Sequence, residues 1–389
     1  MKFVIAPDSF KNSLAAKQAA TAIYRGFLKI FPTAHYELVP MADGGEGTVQ
    51  SLVDATGGRL ITCQVHGPLD SLVEVHYGLL ADHQTAVIEM AEASGLQYVN
   101  QKTRDPLTAT TFGTGELILQ AADQGAKKIM LGIGGSATND GGAGMAEALG
   151  VKLLDQNNRP IPHGGGFLDR LDHFDFSNYD HRLDQIEIII AADVKNPLTG
   201  KNGASRVFGR QKGATESMIA KLDQNLQHYA AIIKRDLKKD VEFLPGAGAA
   251  GGLGAGLLAF TNCRMEKGID LVIEYSGLTD KTVGADFCIT GEGKIDFQTK
   301  FGKTPYGVAQ AVKKVSPQAT VIALVGTIGQ GIEELYQSQM IDAIFSITNG
   351  SKTLKQALNE TAADLEQTAY NTARLIKKID DGRQNKGKR

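Results

Sequence analysis

The sequence has few cysteines, no long apolar run and almost no net charge, and each absence excludes a class of protein. Its three cysteines, Cys63, Cys263 and Cys288, lie far apart, which excludes a local zinc-binding pattern and favours a reducing compartment. No apolar stretch reaches the ~18 residues that a membrane-spanning helix needs. The net charge is −2, so neither nucleic acid nor an anionic membrane is indicated as a partner.

Histidine metal motifs and a secretory leader are also missing. The eight histidines never occur at a spacing typical of metal ligands, so we expect no histidine-held metal. The first apolar run, Lys2–Pro7, is too short for a signal peptide and resembles a first buried strand. We therefore expect a soluble cytoplasmic protein. Whether it forms a homo-oligomer is a question that the sequence leaves open.

Glycine, in contrast, is abundant and is concentrated in a few turns. It accounts for 45 of 389 residues, against a usual share of ~7%. Glycine lets backbone amides approach a phosphate, and carboxylates hold a metal ion or accept a proton. A site for a nucleotide phosphate with magnesium is therefore predicted where glycine-rich turns adjoin acidic residues. These segments are Ala42–Thr48, Gly134–Gly142 and Gly291–Asp296, and Gly246–Gly256 is a further glycine run.

The fold class follows from short apolar runs that alternate with segments of helical periodicity, a pattern typical of α/β proteins. A chain of 389 residues is longer than a single core usually spans, so two domains are expected. We predict a Rossmann-like parallel-sheet domain built from both chain ends, residues 1–59 and 283–380. A second, mixed-sheet α/β domain, residues 60–282, is inserted into it, and residues 381–389 form a flexible tail.

Individual elements can also be placed. The apolar runs Leu60–Val65 and Leu72–Leu80 flank a turn that contains glycine and proline, which predicts an antiparallel hairpin. Ser13 is predicted to cap a first helix that ends at Pro32. Further strands are predicted at Phe3–Ala6, Tyr36–Val39, Thr85–Met90, Lys128–Ile133, Gln185–Ala191, Phe287–Thr290, Thr320–Val325 and Ala343–Ile347.

The segment Gly134–Gly142 follows a predicted strand and leads into a predicted helix. This arrangement is typical of an anion site formed by backbone amides and the positive end of a helix dipole. Asp140 would repel a bare phosphate, so it is interpreted as a metal contact, as a ligand of a substrate hydroxyl, or as the helix N-cap. The structural alternative is a tight turn that Asp140 caps without any ligand.

Asp193 and Lys195 follow the predicted strand Gln185–Ala191. Ligands of open α/β sheets bind at the carboxyl ends of strands, so both residues are well placed for function. The carboxylate could accept a hydroxyl proton while the lysine stabilises charge on a transferring group. The alternative is an aspartate turn before Pro197.

Asp8, Ser9 and Lys11 follow the first predicted strand in the same way. Lys11 is a plausible partner for a phosphate or carboxylate at this edge of the sheet. The alternative is that Asp8 and Ser9 only open the following helix.

The segment Gly291–Asp296 follows another predicted strand and carries three charged side chains, Glu292, Lys294 and Asp296. Such a density of charge directly after a buried strand favours a functional site. A solvated turn is the alternative.

Three other segments carry weaker signals. Gly246–Gly251 has the spacing of a dinucleotide fingerprint, which keeps open a nicotinamide-dependent hydroxy-acid dehydrogenase, although this single match is weak. Gly302–Thr304 resembles the end of a P-loop, but Phe297 stands where that motif needs glycine. The basic loop Arg206–Gly213 fits a phosphate or carboxylate partner and a solvated turn equally well. A non-enzymatic sensor of small carboxylates is a further alternative, but the expected helix-turn-helix or basic surface is not evident.

Taken in order, these segments resemble the bacterial glycerate kinase family of the type I fold, nearly end to end. The resemblance implies ATP-dependent phosphorylation of D-glycerate, with 2-phosphoglycerate favoured over 3-phosphoglycerate, and two α/β domains of which one is inserted in the other. The segments that carry it are Ala6–Lys11, Ala42–Thr48, Gly134–Gly142, Asp193–Leu198, Gly248–Gly254 and Gly291–Gly293.

The resemblance does not supply the role of each residue, so the roles are hypotheses from chemistry, with Mg²⁺ bridging the phosphates of ATP. The predicted catalytic residues are Asp193, as general base, Lys195 and Lys11. The predicted substrate-binding residues are Asp8, Ser9, Asp43, Glu46 and Arg206. The predicted nucleotide- and phosphate-binding residues are Gly134, Gly135, Ser136, Ala137, Thr138, Asn139, Gly291, Gly293 and Lys294. The predicted metal ligands are Asp140, Glu292 and Asp296.

Overall fold

The computed structural model describes the backbone of residues 1–386 and the side chains of residues 1–382. The strands are β1 (Lys2–Ile5), β2 (His35–Leu38), β3 (Arg59–His66), β4 (Leu72–Leu79), β5 (Thr85–Glu89), β6 (Lys128–Gly132), β7 (Lys152–Leu154), β8 (His173–Asp175), β9 (Glu187–Ala191), β10 (Cys263–Glu266), β11 (Phe287–Ile295), β12 (Thr320–Ile328) and β13 (Ala343–Ser346). The α-helices are α1 (Ala16–Leu28), α2 (Thr48–Thr56), α3 (Ala91–Ser94), α4 (Phe112–Asp123), α5 (Ala143–Ala148), α6 (Ala204–Phe208), α7 (Glu216–Leu237), α8 (Leu253–Phe260), α9 (Gly268–Ser276), α10 (Leu278–Lys281), α11 (Thr304–Val315), α12 (Glu333–Gln337) and α13 (Leu354–Lys386). Short 3₁₀ helices lie at Leu96–Tyr98, Gly165–Arg170, His181–Gln185, Arg210–Lys212, Ala249–Gly252 and Phe297–Phe301.

The chain divides into two compact units, described separately below. Unit 1 contains Met1–Asp43, Gln50–Thr56 and the chain from Ile269 onward, and unit 2 contains Gly44–Val49 and Gly57–Gly268. Residues 269–282, which the sequence prediction gave to the inserted domain, therefore belong to unit 1. The physical reason is packing, because Ile269 lies so close to Gly307 of α11 that a β-carbon there would meet its side chain at 2.3 Å.

Unit 1 is built on a parallel sheet with the strand order β13-β12-β11-β1-β2. Phe3, Val4 and Ile5 of β1 are completely buried, as expected where helices cover both faces of a sheet. Helices α1 and α13 pack closely, since a β-carbon at Gly26 would lie 2.5 Å from the carbonyl oxygen of Glu366. Helix α13 continues through most of the predicted tail 381–389, and residues 387–389 lie outside the described residues.

The connections within unit 1 reverse direction between β1 and β11. The chain passes from β1 outward to β2 on one side, and from β11 through β12 to β13 on the other. At such a switch point the loops that follow the two central strands diverge, which leaves a crevice at their carboxyl ends. The sequence places Asp8 and Glu292 at this position. The topology therefore marks the crevice beside these carboxylates as the expected ligand site.

Unit 2 contains a mixed sheet of strand order β10-β9-β6-β5-β4-β3. Strands β10, β9, β6 and β5 are parallel, whereas β5-β4 and β4-β3 are antiparallel. The predicted hairpin is thus confirmed as β3–β4, and Asp70 in its turn has a left-handed backbone with φ 59°. A small antiparallel pair, β7–β8, completes the unit. The predicted α/β class, with one parallel and one mixed sheet, is confirmed.

Two local predictions differ from the structure. Helix α1 begins at Ala16 with Ala15 as its N-cap, so the predicted cap at Ser13 is wrong. The Ser13 hydroxyl instead donates to the Leu358 carbonyl at 2.5 Å and to the Thr361 hydroxyl at 2.6 Å, both on α13. In addition, β11 pairs with β12 as far as Ile295. Glu292 and Lys294 are therefore held on a strand instead of in a turn that follows one.

Within residues 1–386, no helix combines enough length and apolar content to cross a membrane.

Candidate active site

The carboxyl ends of the unit 1 strands surround a pocket of about 370 Å³. Seven predicted site residues line it, although catalytic, substrate, nucleotide and metal roles had been expected among them. They are Asp8, Ser9, Lys11, Asp43, Glu292, Gly293 and Lys294. Lys303, which had no predicted role, also lines it. We refer to the polar end defined by Asp8, Lys11, Asp43, Glu292, Lys294 and Lys303 as the acid–lysine pocket.

Asp8 is held firmly at the end of β1. Its backbone amide donates to the Gly291 carbonyl at 2.9 Å, and its carboxylate accepts from the Ser9 amide at 2.6 Å and the Thr304 hydroxyl at 2.5 Å. Burial raises the pKa of Asp8 from 3.8 to about 6, and the charge of Asp43 adds to the effect, while the bonds from Thr304 and Ser9 oppose it. Asp8 is thus a buried carboxylate that titrates close to neutral pH.

Gly291 has a packing role in this arrangement. It lies on β11, and a β-carbon there would come within 2.1 Å of the Leu324 carbonyl oxygen on β12. Gly293 differs, because the nearest atom to its added β-carbon would be 3.7 Å away. Of the two glycines predicted for phosphate binding, Gly293 therefore lines the pocket and Gly291 keeps the strands close.

Glu292 is the second buried carboxylate of the pocket. It accepts from the Thr299 hydroxyl at 3.0 Å, and the Lys303 ammonium lies 3.6 Å from its other oxygen. Burial raises the pKa of Glu292 from 4.5 to about 7; Lys303 and Thr299 lower it, and the negative charges of Asp8 and Asp43 raise it. Glu292 is therefore a buried carboxyl whose ionised form is disfavoured mainly by desolvation, and Lys303 offsets this only in part.

Asp296 arranges the lysines. It lies 3.3 Å from the Lys294 ammonium and 3.7 Å from that of Lys303, and it accepts from the Gln298 amide at the start of a 3₁₀ helix. Burial acts to raise the pKa of Asp296, but the bond from Lys294 and the charge of Lys303 outweigh it and hold the pKa below its usual range. Asp296 is therefore an ionised partner of both lysines.

A resident metal ion finds no complete ligand set. Within the described part of the chain, no group of three or more His, Cys, Asp or Glu side chains is arranged to hold one. Mg²⁺ that arrives with ATP needs only one or two carboxylates, because phosphate oxygens and water complete its shell. Asp8 and Glu292 fit such an ion, since both are buried carboxyls with raised pKa values that line the same pocket, and a cation would stabilise their ionised forms.

The segment Gly134–Gly142, which we refer to as the glycine loop, connects β6 to α5 in unit 2. Only its first two residues, Gly134 and Gly135, are exposed, and Ser136 to Gly142 are buried. A close approach of backbone amides to an anion is therefore open to Gly134 and Gly135. The predicted phosphate-binding residues Ala137, Thr138 and Asn139 lie in the interior, where they support the loop.

Asp140 belongs to this interior part. It is fully buried, and its carboxylate accepts from the amide and hydroxyl of Thr111, both at 2.8 Å, and from the amides of Gly142 and Gly144 at 3.1 and 3.2 Å. These donors link the start of α5 to the residue that precedes α4. The bonds favour the structural alternative for Asp140 over the predicted metal contact, because they occupy the carboxylate inside the fold.

Lys212 supports the glycine loop from behind. Although lysine is almost never fully buried, Lys212 is 2% exposed, and its ammonium donates to the Ser136 hydroxyl at 2.7 Å and the Thr138 carbonyl at 2.6 Å. Burial lowers the pKa of Lys212 from 10.5 to about 7, with the charge of Asp140 acting in the opposite direction. The basic loop that contained Lys212 was noticed in the sequence, but its burial could not be read there.

Close backbone packing accounts for the many glycines of the run Gly246–Gly256. A β-carbon at Gly251 would lie 2.0 Å from the Thr138 carbonyl oxygen, and one at Gly256 would lie 2.6 Å from that of Gly141. These glycines therefore allow backbone to pack on backbone behind the glycine loop. No strand precedes the run, because residues 241–248 are turns and irregular chain. The structural context that a dinucleotide fingerprint requires is missing at this site.

The short loop Gly44–Gly47 lies beside the glycine loop, since a β-carbon at Gly134 would be 4.0 Å from the Gly45 α-carbon. Glu46 in this loop is exposed. Behind it, Glu89 at the end of β5 accepts from the Val49 amide at 2.9 Å. Burial raises the pKa of Glu89 to about 7, against the effect of its backbone hydrogen bonds. Glu89 was missed because a single glutamate that ends a strand gives no pattern.

The remaining predicted residues of unit 2 lie outside the interior network. Asp193 and Lys195 are exposed in the segment that follows β9. Arg206, on α6, lies 3.5 Å from the carboxylate of Asp223 on α7, which is a contact that anchors these helices. The pair gives Arg206 a structural explanation alongside the predicted substrate contact.

A parallel sheet with a pocket of carboxylates and lysines at its switch point places the protein in the class of open-sheet α/β proteins, whose ligands bind at the carboxyl ends of the strands. The chain belongs to the glycerate kinase family, whose sequence profile matches residues 3–377. The predicted family is thus confirmed, and membership makes the protein a kinase.

Individual relatives agree over nearly the whole chain. A protein named glycerate kinase from Halalkalibacterium halodurans is 52% identical over 370 residues, which cover 95% of this chain and 97% of the relative. The Escherichia coli K12 protein named glycerate 2-kinase is 49% identical, with coverage of 97% and 98%. A crystal structure from Salmonella typhimurium LT2, described as a candidate glycerate kinase 2, superposes with a TM-score of 0.90 at 48% identity, covering 98% of this chain and 99% of that one.

Proposed function

We propose that the protein uses ATP to phosphorylate D-glycerate, and that the product is 2-phosphoglycerate. The observation that carries the proposal is the acid–lysine pocket at the switch point of unit 1, in a chain of the glycerate kinase family. The name of the Escherichia coli relative supports the 2-hydroxyl as acceptor. The sequence match to a P-loop fails at Phe297. In the proposed site, lysine side chains bind the phosphates in place of such a loop.

Positive charge around the transferring group is the main requirement of phosphoryl transfer. Lys11, Lys294 and Lys303 line the pocket, and Asp296 holds the last two in place. We assign them to the phosphates of ATP. Asp8 and Glu292 would hold Mg²⁺, which, when bound, neutralises phosphate charge. Burial raises the pKa of Asp8 to about 6 and that of Glu292 to about 7 in the metal-free protein, and a bound cation would favour the ionised form of both carboxylates.

A general base must accept the proton of the attacking hydroxyl, and it acts best with a pKa near the working pH. Asp193 remains the predicted base on the strength of its position after β9. Asp8 is its competitor if Glu292 alone holds Mg²⁺, because the Thr304 hydroxyl orients the Asp8 carboxylate and because its pKa, raised to about 6 in the metal-free protein, would then suit a base. If Asp193 is the base, Asp193→Asn removes it; if Asp8 is the base, Asp8→Asn removes it.

The anionic substrate also needs donors. We propose that the exposed amides of Gly134 and Gly135 serve this purpose, since the rest of the glycine loop is buried. Lys195 and Ser9 are further candidates, because the first is exposed after β9 and the second lines the acid–lysine pocket. Asp43 and Glu46 are proposed to orient the glycerate hydroxyls.

The first test measures ADP release from Mg-ATP with D-glycerate, L-glycerate or no acceptor, and identifies the product by phosphorus NMR. Release that requires D-glycerate and a resonance of 2-phosphoglycerate are expected. Removal of Mg²⁺ with EDTA should abolish turnover, and added Mg²⁺ should restore it. ATP binding without turnover of either glycerate would reject the acceptor, and a 3-phosphoglycerate resonance would reject the position.

A further inference from the structure

The pocket of unit 1 is larger than the acid–lysine pocket at its polar end. Its volume of about 370 Å³ lies in the range of ~300–1,000 Å³ typical of sites for much larger ligands than a three-carbon acid. The lining continues from the ends of β1 and β11 past Gly326 and Thr327 of β12 and Thr348 after β13. The pocket therefore extends along the sheet edge, away from the carboxylates.

This second end of the pocket carries a patch of apolar side chains, bordered by Ser13, Thr361 and Asp364, and the Asp364 carboxylate is paired with Lys352. Leu354, Ala357 and Leu358 line it from the first turns of α13, and their spacing of three and four residues puts them on one face of the helix. Phe10 and Ile347 complete the apolar wall. Polar groups border it, since the Thr348 hydroxyl donates to the Gly326 carbonyl at 2.9 Å.

Leu354 is the informative residue of the wall. It is 75% exposed, so it adds little to the hydrophobic core, yet it lines a pocket whose other end is strongly charged. The position of α13 behind it is fixed, because the Ser13 hydroxyl donates to the Leu358 carbonyl and the Thr361 hydroxyl. An exposed leucine on a fixed helix face beside a pocket fits an apolar ligand group that covers it.

We infer that the wall formed by Phe10, Ile347, Leu354, Ala357 and Leu358 binds the nucleoside of ATP, with the triphosphate directed to Lys11, Lys294 and Lys303. This inference rests on the proposed function for the identity of the phosphate donor. It fits one elongated ligand with an apolar base at one end and negative charge at the other, which matches the two ends of the pocket. Glycerate, which has no apolar group, has no use for this wall.

The test compares Leu354→Ser with Leu375→Ser. Leu375 is a matched control, because it is also on α13 and is 53% exposed but does not line the pocket. Titration calorimetry measures binding of Mg-ATP and of Mg-tripolyphosphate, which has the phosphates without the nucleoside. We expect Leu354→Ser to weaken ATP binding about 10-fold and to leave tripolyphosphate binding unchanged, while Leu375→Ser changes neither.

Kinetics provide a second readout in the same variants. Leu354→Ser should raise the KM for ATP by the same factor, with kcat at saturating ATP and the KM for D-glycerate unchanged. Unchanged ATP affinity, an equal loss for tripolyphosphate, or an equal loss in Leu375→Ser would each overturn the inference. A wild-type protein that shows this ATP pattern but does not phosphorylate D-glycerate would retain the nucleoside site and reject only the proposed acceptor.

Discussion

The acid–lysine pocket of unit 1 and the glycine loop of unit 2 both place carboxylates on or after a buried parallel strand, but the surroundings are opposite. In the pocket, burial raises the pKa of Asp8 to about 6 and that of Glu292 to about 7, and both line open space. In the glycine loop, Asp140 is fully buried and accepts hydrogen bonds from Thr111, Gly142 and Gly144.

The lysines differ in the same way. Lys294 and Lys303 line the pocket, and their ammonium groups remain accessible. Lys212 is buried against Ser136 and Thr138. The comparison teaches that a charged side chain near glycine serves a ligand where it lines open space, and serves the fold where buried donors or acceptors surround it.

The largest predicted effect that distinguishes the acid–lysine pocket from the glycine loop is that of Glu292→Gln, which should lower activity without lowering stability. The neutral amide keeps the shape of the side chain but removes its charge, so kcat/KM should fall about 10³-fold. The free energy of unfolding should stay the same or rise, because a buried carboxylate with a raised pKa is removed. Steady-state kinetics and urea denaturation measure the two effects. Glu333→Gln, at an exposed site of unit 1, is the matched control, and a wild-type rate in Glu292→Gln would contradict the assignment.

Asp140→Ala should have the reverse profile. Removal of the carboxylate leaves buried amides of Gly142 and Gly144 and the Thr111 donors without their acceptor, which should lower the free energy of unfolding by about 3 kcal/mol. Urea denaturation at pH 7 gives the value. Asp169→Ala, at an exposed position of the same unit, should change stability by less than about 0.5 kcal/mol. A small change in the free energy of unfolding of Asp140→Ala would contradict this structural role and favour the predicted ligand contact.

Asp193→Asn tests which carboxylate accepts the proton. If Asp193 is the base, kcat should fall about 10²-fold, with ATP affinity and stability little changed, because the residue is exposed. Kinetics are measured in parallel with Asp8→Asn. Turnover like that of the wild type in Asp193→Asn would remove Asp193 as the base. Loss of turnover in Asp8→Asn with unchanged Mg-ATP affinity would then assign the base to Asp8, whereas a parallel loss of Mg-ATP affinity would assign Asp8 to the metal.

The smallest predicted effect is the pH dependence that Lys212 contributes to stability. Its pKa is about 7 in the folded protein and 10.5 ordinarily, so between these values the unfolded chain binds the proton and the folded protein does not. The free energy of unfolding should therefore rise with pH above 7, by at most about 1.4 kcal/mol per pH unit from this group. Lys212→Met should lose this increment in urea titrations at pH 7, 8 and 9. If the free energy of unfolding rises equally with pH in Lys212→Met and in the wild type, the prediction is contradicted. Lys221→Met, at an exposed lysine, is the control and should keep the wild-type dependence on pH.

Much of the fold was accessible from the sequence, because strands buried on both faces have a distinct apolar signature. The runs at Phe3–Ala6 and Lys128–Ile133 were predicted as strands, and β1 and β6 confirm them. The predicted helix cap at Ser13 is wrong, because the Ser13 hydroxyl bonds to α13, more than 340 residues away in the chain. Local propensity does not contain a partner at that distance.

The candidate site was accessible in part. Asp8 and Glu292 were found because each adjoins a recognisable strand. Thr299, Lys303 and Thr304 were missed, since their roles arise when the 3₁₀ helix Phe297–Phe301 and the start of α11 turn back toward the carboxylates. The assignments of individual roles, including that of Asp193, stay predictions until the variants are measured.

The sequence by itself determined the α/β class, the family and the segments in which chemistry is concentrated, because these depend on residue type and on order along the chain. Tertiary structure alone decided which charged side chains face a pocket and which are used inside the fold. Asp140 and Glu292 have the same kind of sequence neighbourhood, yet one is surrounded by backbone donors and the other by further carboxylates and a lysine. The physical reason is that desolvation and hydrogen bonding depend on distances in space, which local sequence does not specify.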